Sequence, residues 1–352
     1  MKTLKNRHTR VLLSTVVLLT VGWLAVPHAG QEDANDGFIL LTTDRDNPSN
    51  DGICNPPQCE DIYVMAPDGS NPTRLTHGGA PIGSAGYNSG GADWSHSKKL
   101  IAFQSNRVGG IPQIFTMNLD GTEQQLMVSV PGGAAFPSFS QTGNELCFHS
   151  QASPRDIYVV NVHGTGLTNL TESYRKPGPL GEPPPLTGDS TRCDWSPKGN
   201  AIAFMNGAIG NQEIFAIDAD GTGLRRLTTA SGSDANPAFS PKGDLIAFES
   251  NRDGTPEIYV MKADGSDVPE RLTNFTAEPT PNNVNVTKPT WSPTGDLLAF
   301  HRRVGAQGAR GHLQVYTMNA DGTNVTQITF TPSPGFSGFP SWGKWSADGV
   351  PR

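Results

Sequence analysis

The sequence is poor in charged side chains and lacks the motifs by which several common enzyme classes position their reacting groups. Charged residues make up 17% of the chain, and the formal net charge is −7. An acidic balance argues against a nucleic-acid-binding surface, which needs a basic face. We find no Gly-x-Ser-x-Gly, no His-Glu-x-x-His and no phosphate-binding glycine loop. These absences favour a non-catalytic protein, with an enzyme as the alternative.

Only the amino terminus contains a long hydrophobic run. Residues 11–26 are apolar apart from a few hydroxyls. They follow a basic start made of Lys2, Lys5, Arg7 and Arg10. This pattern predicts a signal peptide over residues 1–30, or an uncleaved amino-terminal anchor. No later run is long enough to span a membrane. We therefore expect a periplasmic or secreted protein.

Cysteine is also scarce, with four residues in the chain. Cys54 and Cys59 bracket a short loop, and in an oxidising compartment this spacing predicts a local disulfide. Cys147 and Cys193 lie inside apolar, strand-like segments. They are either two buried free thiols or a bridge between two blades, and the free thiols are the favoured interpretation.

What is abundant is a repeated hairpin. The chain has 40 glycines and 29 prolines. One type of segment recurs, and it consists of an alternating strand, a turn that usually contains Asp-Gly, and a second short strand. Asp-Gly between alternating strands predicts a type I′ turn. The copies span residues 61–76, 113–127, 156–171, 213–228, 257–273 and 314–329.

A second hairpin type alternates with the first, and each copy begins with an aromatic residue on a short strand. These copies span residues 92–107, 137–150, 193–206, 237–250 and 289–303, with Trp94, Phe139, Trp195, Phe239 and Trp291 as the aromatic residues. Four strands per period of roughly 40 to 50 residues is typical of propeller blades.

The two chain ends complete the blade count. Residues 340–345 supply a first strand with Trp342, but no apolar partner strand follows. The missing partner is residues 38–45, which align with residues 100–107. The sequence therefore predicts an all-β, six-bladed propeller over residues 37–346. Its closing blade combines the carboxyl-terminal strand with three amino-terminal strands, and residues 347–352 form a tail.

The repeat resembles that of the TolB-like propellers. The resemblance rests on WSPKG (195–199), IAFESNRDG (246–254), EIYVMKADGS (257–266) and the recurring RLT. TolB is a periplasmic protein that binds an outer-membrane lipoprotein and has an additional amino-terminal domain. The repeats here begin too soon after the predicted signal to leave room for that domain. The resemblance thus implies a stand-alone propeller that acts as a protein-interaction scaffold.

The blade wiring assigns the connecting loops to two faces. The uniform Ser-Pro-x-Gly and Asp-Gly turns lie on one face, and the long, variable loops lie on the other, which we call the loop-rich face. Elaborated loops on a constant scaffold are typical of a binding surface. Aromatic and arginine side chains dominate protein interfaces. We therefore expect a monomer that binds a protein partner and does not bind nucleic acid. The residues expected to contact the partner are Tyr87, Tyr174, Arg175, Phe275, Arg303 and Arg310.

Two acidic residues are predicted to face the channel. Asp93 and Asp194 precede the aromatic residue of an innermost strand. They either bind a cation or a partner lysine, or accept hydrogen bonds from neighbouring amides, which is the favoured role. The alternative function, a small-ligand lyase or hydrolase, would use these carboxylates and a metal. His149 and His301 are too far apart in the predicted ring to share a metal ion.

Two further groups of polar residues suggest either ion binding or structural pairing. Residues 44–52 loosely resemble a calcium loop, but their first half coincides with the repeat's own loop at residues 250–254, so no cofactor is expected and calcium is the alternative. A polar residue starts each third strand: Asp61, Gln113, Asp156, Glu213, Glu257 and Gln314. We expect structural pairs between these residues and the arginines that end the preceding strands, Arg45, Arg107, Arg252 and Arg302.

Overall fold

The computed structural model describes residues 37–45, 60–78, 87–95, 97–178, 185–275, 286–304, 312–331 and 336–344. Within these ranges the chain forms six antiparallel sheets of four strands each, which are the blades of a propeller. The predicted all-β, six-bladed fold is therefore confirmed. The predicted signal (1–30), Cys54, Cys59, Arg310 and the tail (347–352) lie outside the described residues. No helix in the described ranges has the length and apolar character needed to cross a membrane.

The blades are numbered along the chain, and their strands are given from the axis outward. Blade 1 consists of β24 (Ser337–Gly343), β1 (Phe38–Thr43), β2 (Asp61–Met65) and β3 (Thr73–Arg74). Blade 2 consists of β4 (Ser89–Trp94), β5 (Leu100–Ser105), β6 (Gln113–Asn118) and β7 (Gln125–Val128). Blade 3 consists of β8 (Ala134–Phe139), β9 (Glu145–Ser150), β10 (Ile157–Asn161) and β11 (Thr168–Asn169).

The second half of the ring repeats this order. Blade 4 consists of β12 (Asp189–Trp195), β13 (Ala201–Ala208), β14 (Asn211–Asp218) and β15 (Arg225–Arg226). Blade 5 consists of β16 (Asp234–Phe239), β17 (Leu245–Ser250), β18 (Glu257–Lys262) and β19 (Glu270–Arg271). Blade 6 consists of β20 (Val286–Trp291), β21 (Leu297–Val304), β22 (His312–Asn319) and β23 (Thr326–Gln327). One 3-10 turn, Glu172–Arg175, follows β11.

The two ends of the chain meet in blade 1. Strand β24 pairs with β1, with Trp342 opposite Ile39 and Ser341 opposite Leu40. The indole nitrogen of Trp94 in blade 2 donates to the carbonyl of Trp342 at 2.9 Å. The closing blade is thus built from the carboxyl-terminal strand and three amino-terminal strands, as predicted.

The Asp-Gly turns differ from the predicted type I′ geometry. In blade 4, Gly221 has φ 83°, whereas Asp220 does not have a positive φ. Gly221 donates to the carbonyl of Asp218, and Asp218 donates to that of Thr222, which is a type I turn followed by a glycine bulge. The Asp220 carboxylate accepts from the amide of Thr222 at 2.9 Å, so the aspartate fixes the turn through its side chain.

The hydrophobic core lies between the blades and not on the axis. Phe38 and Leu40 of blade 1 pack with Trp94 and Phe103 of blade 2, and similar clusters join other neighbouring blades. Five second strands bury a phenylalanine completely: Phe103, Phe148, Phe204, Phe248 and Phe300. Each such burial contributes about 1.5–3 kcal/mol.

Candidate functional site

Each innermost strand has a β-bulge at the same position, three residues before the recurring aromatic residue. The bulged residue has a left-handed backbone with φ between 51° and 59°. Most residues with a Cβ avoid this conformation, and bulges re-aim side chains out of the sheet. We call this set the axial ring. From blade 1 to blade 6 its members are Phe339, Gly91, Phe136, Arg192, Asn236 and Lys288.

Two aromatic members of the axial ring meet across the axis. The ring centroids of Phe136 and Phe339 are 5.4 Å apart, although their blades are separated by blade 2. Blade 2 contributes Gly91 at this position, and a Cβ there would lie 2.8 Å from Cδ1 of Phe136. The glycine therefore leaves the space that the Phe136 ring occupies.

Two cationic members lie against the same pair of rings. The guanidinium carbon of Arg192 lies 3.3 Å from the ring centroid of Phe136 and 5.4 Å from that of Phe339. The ammonium nitrogen of Lys288 lies 5.2 Å and 5.4 Å from the same two centroids. Cations over aromatic faces are attracted by the ring quadrupole. The two phenylalanines thus hold two positive charges at the axis.

The backbone of the axial ring is anchored by side chains from the preceding blade. Thr42 accepts from the amide of Gly91 at 3.1 Å, and Gln104 accepts from that of Phe136 at 3.1 Å. His149 and His301 accept from the amides of Arg192 and Phe339 at 3.3 Å and 3.0 Å. Each bulged amide that is bonded in this way is a satisfied buried donor, which offsets part of the cost of its left-handed conformation.

The two histidines are held neutral by this arrangement. Burial lowers the pKa of His301 to about 3, with the charges of Lys288 and Arg192 as further causes. Burial and the charge of Arg192 also lower the pKa of His149 well below its usual value. A neutral imidazole keeps one ring nitrogen unprotonated, and that nitrogen is the acceptor for the bulged amide.

Asp93 and Asp194 line an axial cavity of about 70 Å³ together with four axial-ring side chains. Oδ2 of Asp93 accepts from the amide of Phe139 at 2.8 Å, and Oδ2 of Asp194 accepts from the amide of Phe239 at 2.7 Å. Oδ1 of Asp93 also accepts from the hydroxyl of Ser341 at 3.0 Å. Both carboxylates therefore join neighbouring blades through amide hydrogen bonds.

The cavity contains groups that titrate near neutral pH. Burial raises the pKa of Asp194 to about 7, opposed by the Phe239 amide and increased by the charge of Asp93. Burial lowers the pKa of Lys288 to about 7, and the charge of Arg192 lowers it further. Perturbed pKa values in a cavity are typical of functional sites. The axial cavity is therefore a candidate site.

Several residues predicted to bind a partner contact neighbouring groups of the propeller itself, and their role in binding stays a prediction. Tyr87 covers the guanidinium of Arg107 at 4.6 Å and donates to the carbonyl of His77 at 3.0 Å. Phe275 covers the guanidinium of Arg302 at 4.0 Å. Arg303 is exposed at the end of β21, and Arg310 lies outside the described residues.

Tyr174 and Arg175 lie in the 3-10 turn between blades 3 and 4. The hydroxyl of Tyr174 donates to the carbonyl of Gly221 at 2.9 Å. Nε of Arg175 donates to Asp156 at 2.6 Å, and its other nitrogens bind the carbonyls of Arg155 and Gly188. Both side chains thus attach their loop to the propeller.

Arg175 belongs to a repeated ion pair that the sequence interpretation assigned to other arginines. The acidic residue that starts a third strand pairs with an arginine on the fourth strand or just after it. The pairs are Asp61–Arg74, Asp156–Arg175, Glu213–Arg226 and Glu257–Arg271. Two of the arginines expected in these pairs have other partners: Arg252 pairs with Asp234 at 2.9 Å, and Arg107 donates to Gln124 at 2.6 Å.

Cys147 and Cys193 form a disulfide between β9 of blade 3 and β12 of blade 4, with their Cα atoms 6.4 Å apart. The favoured interpretation of two free thiols is therefore wrong, and the inter-blade bridge is correct. The sequence could not decide this, because the contact depends on how adjacent blades face each other.

A metal bound by Asp93 and Asp194, or calcium bound by residues 44–52, remains an untested alternative. No group of three or more His, Cys, Asp or Glu side chains with metal-binding geometry occurs among the described residues. His149 and His301 each accept an amide hydrogen bond, as described above. Most of the calcium-like segment 44–52 lies outside the described ranges.

The sequence interpretation missed the axial ring. The signal was present, since the residue three positions before each recurring aromatic is Gly, Phe, Arg, Asn, Lys or Phe in a repeat that otherwise varies little. Variation at one position of an otherwise constant strand pattern indicates that this side chain does not pack in the repeated core between the blades.

The sequence comparisons agree with this fold. Residues 185–306 match the sequence model of the TolB beta propeller domain. An uncharacterised protein from Agrobacterium fabrum is 30% identical over 157 residues, which cover 42% of this chain and 47% of that protein. The match thus spans about half the length of that relative.

Two solved structures share the fold. TolB from Acinetobacter baumannii superimposes with a TM-score of 0.66 at 20% identity, covering 88% of this chain and 67% of that one. A structure from Agrobacterium tumefaciens assigned to TolB gives a TM-score of 0.59 at 19% identity, covering 90% and 96%. The repeat, the blade order and these similarities agree: the chain folds as a six-bladed β-propeller, and its residues 185–306 match the TolB beta propeller domain.

Proposed function

We propose that this protein is an extracytoplasmic, non-catalytic scaffold that binds a protein partner on its loop-rich face, at the mouth of the axial channel. The observation that carries the proposal is the hairpin β13–β14. Its strands have eight residues each, whereas β5, β6, β17 and β18 have six. At its tip on the loop-rich face, Ile209 is 98% exposed.

Other apolar side chains are exposed on the same face. Phe330, in the connection from blade 6 to blade 1, is 75% exposed, and Val108 and Ile111 are exposed between β5 and β6. Exposed apolar residues on extended loops are typical of interaction surfaces. Arg303, near the end of β21 in the other long hairpin, is an exposed cation.

The extracytoplasmic location is supported by two features. The predicted signal precedes the propeller, and a structural disulfide joins blades 3 and 4. Disulfides persist in oxidising compartments such as the periplasm. The fold similarity to TolB, which is periplasmic, points in the same direction. A monomer without nucleic acid fits the closed ring and the acidic net charge.

The enzyme alternative receives less support from the geometry. A lyase or hydrolase of the kind considered above would need the channel carboxylates to hold a metal or move a proton. Each carboxylate instead has an oxygen bound to a backbone amide of the next blade. These bonds favour a structural role for Asp93 and Asp194.

The proposal can be tested by photo-crosslinking in the native envelope. A photoreactive amino acid at position 209 or 330 should crosslink the same protein. Position 268 is the matched control, because Val268 is 89% exposed but lies beyond an Asp-Gly turn. Ile209→Asp should abolish capture without changing the melting temperature, whereas Val268→Asp should not. Crosslinking from position 268 but not from 209 or 330 would refute the assignment of function to the loop-rich face.

A further inference from the structure

We propose that the axial cavity binds a small carboxylate anion between Arg192 and Lys288. The proposal is independent of the protein-binding role, since it concerns the cavity and not the loops. It rests on three observations: the charged groups of the two cations form no ion pair with a described residue, both cations lie against the same pair of phenylalanines, and the cavity has a suitable size and lining.

Carboxylates attract both cations without contacting them: against the lowering by burial, the charge of Glu249 raises the pKa of Arg192, and the charges of Asp93 and Asp194 raise that of Lys288. Among the described residues, no salt bridge or hydrogen bond is made by the guanidinium of Arg192 or the ammonium of Lys288, and Nη1 of Arg192 is buried without a hydrogen-bond partner. An unsatisfied buried donor is unfavourable, so native structures seldom retain one. A bound anion would satisfy this donor.

The two cations also repel each other. Both lie over the faces of Phe136 and Phe339, and the charge of Arg192 lowers the pKa of Lys288. The aromatic faces attract the cations but carry no net charge with which to neutralise them. An anion placed between the guanidinium and the ammonium would be attracted to both.

The cavity suits a small planar anion. Its volume is about 70 Å³, which is room for about five water molecules if each needs about 10–15 Å³. Asn236, Ser138 and Thr290 line it with additional amide and hydroxyl groups. A guanidinium fork matches the two oxygens of a carboxylate, and an ammonium adds a point charge.

The acidic groups nearby are already engaged. Asp93 and Asp194 bind the amides of Phe139 and Phe239, and Glu249 accepts from the side-chain amide of Asn236 at 2.7 Å. Burial raises the pKa of Asp194 and of Glu249 to about 7, which lowers the negative charge that an incoming anion meets.

Binding should therefore be linked to protonation. The groups facing Lys288 are Arg192, Asp93, Asp194 and neutral His301. A carboxylate beside Lys288 and Asp194 stabilises the protonated form of both, so binding near pH 7 takes up protons. The affinity should accordingly fall as the pH rises above about 7.

The test uses sodium acetate titrated calorimetrically into the full-length protein at constant ionic strength, with chloride as the balancing anion. Blade 5 supplies the design of the variants, because Asn236 occupies the equivalent left-handed position there. Arg192→Asn and Lys288→Asn therefore keep a residue that tolerates this backbone. Lys242→Gln, at an exposed turn, is the control.

The wild type and Lys242→Gln should bind acetate saturably with proton uptake, and each Asn variant should lose at least tenfold in affinity. The melting temperature of the free Asn variants should be unchanged or higher, because a repelling charge is removed. Binding that is absent from the wild type, or equal in the Asn variants, would overturn the proposal. Inorganic phosphate binding more tightly than acetate would overturn the assignment to carboxylates.

Discussion

Gly91 shows how one residue decides the contents of the axis. It has φ 55°, and a Cβ would lie 2.8 Å and 2.9 Å from two carbons of the Phe136 ring. Phe136 is itself fixed by the Gln104 side chain and by the guanidinium of Arg192. The ring therefore has little freedom to move away, and the site requires glycine for space; glycine also adopts the left-handed backbone without the strain that a Cβ would add.

We expect Gly91→Ala to destabilise the protein by about 2–4 kcal/mol, the sum of a left-handed alanine and an overpacked contact. Gly109→Ala is the matched control. Gly109 has φ 70°, but a Cβ added there would have no neighbour within 4 Å, so only the conformational cost of about 1 kcal/mol applies. Urea denaturation of the two variants measures the difference. Equal losses would show that Phe136 does not constrain position 91.

The disulfide between Cys147 and Cys193 closes a segment with a sequence separation of 46 residues. We expect the double variant Cys147→Ala/Cys193→Ala to lose about 2–4 kcal/mol of unfolding free energy, chiefly because the unfolded chain gains freedom. Reductant should destabilise the wild type by a similar amount and the double variant much less, since only the predicted short Cys54–Cys59 bridge remains to be reduced there. A wild type that is insensitive to reductant under denaturing conditions would contradict the bridge.

At the scale of the strand, the same task is performed by different side chains in different blades. In four blades, one side chain on the second strand accepts a hydrogen bond from the amide of the axial-ring residue in the next blade. In blades 2, 3 and 6 this side chain belongs to the residue directly after the buried phenylalanine. Thr42, Gln104, His149 and His301 do this in blades 1, 2, 3 and 6. The two histidines are thus structural acceptors, and only they make the arrangement sensitive to acid.

This difference predicts a pH effect that glutamine should remove. Unfolded histidine takes up a proton near pH 6.5, whereas folded His301 does so near pH 3. The unfolded state therefore binds more protons in this window, and stability falls as the pH is lowered through it. By pH 5 the loss from His301 is about 2 kcal/mol.

His301→Gln and His149→Gln keep an acceptor, as Gln104 does in blade 2. Urea denaturation at pH 7.5 and pH 5 should therefore show a smaller acid-induced loss in each variant than in the wild type. Asp194 and Glu249 have raised pKa values and act in the opposite direction, but they are common to all three proteins. An unchanged difference between the two pH values would contradict the role of the histidines.

At the scale of the whole molecule, stability depends on joining the two chain ends. Strand β24 supplies the inner strand of blade 1, and Trp342 is 4% exposed within the cluster that joins blade 1 to blade 6. Without this strand, β1 becomes an unpaired edge facing the channel. An exposed edge of this kind promotes aggregation.

We therefore expect deletion of residues 338–352 to give an aggregated or unfolded protein. Deletion of residues 347–352 alone, beyond the last strand, should leave the melting temperature unchanged. Size-exclusion chromatography and thermal melting distinguish the two outcomes. A monomeric 338–352 deletion with wild-type melting would contradict closure through β24.

The sequence by itself determined the blades. Alternating apolar residues, the recurring aromatic and the turn residues are local signals, and each strand pairs with a neighbour that is close in the chain. Closure could be predicted too, because the incomplete repeat at one end matched the incomplete repeat at the other. The axis was decided by the tertiary structure. Arg192, Lys288 and the phenylalanine pair come from four blades, and Cys147 meets Cys193 only when blades 3 and 4 face each other. Contacts between blades depend on the closed ring, and no pattern within a single repeat can specify them.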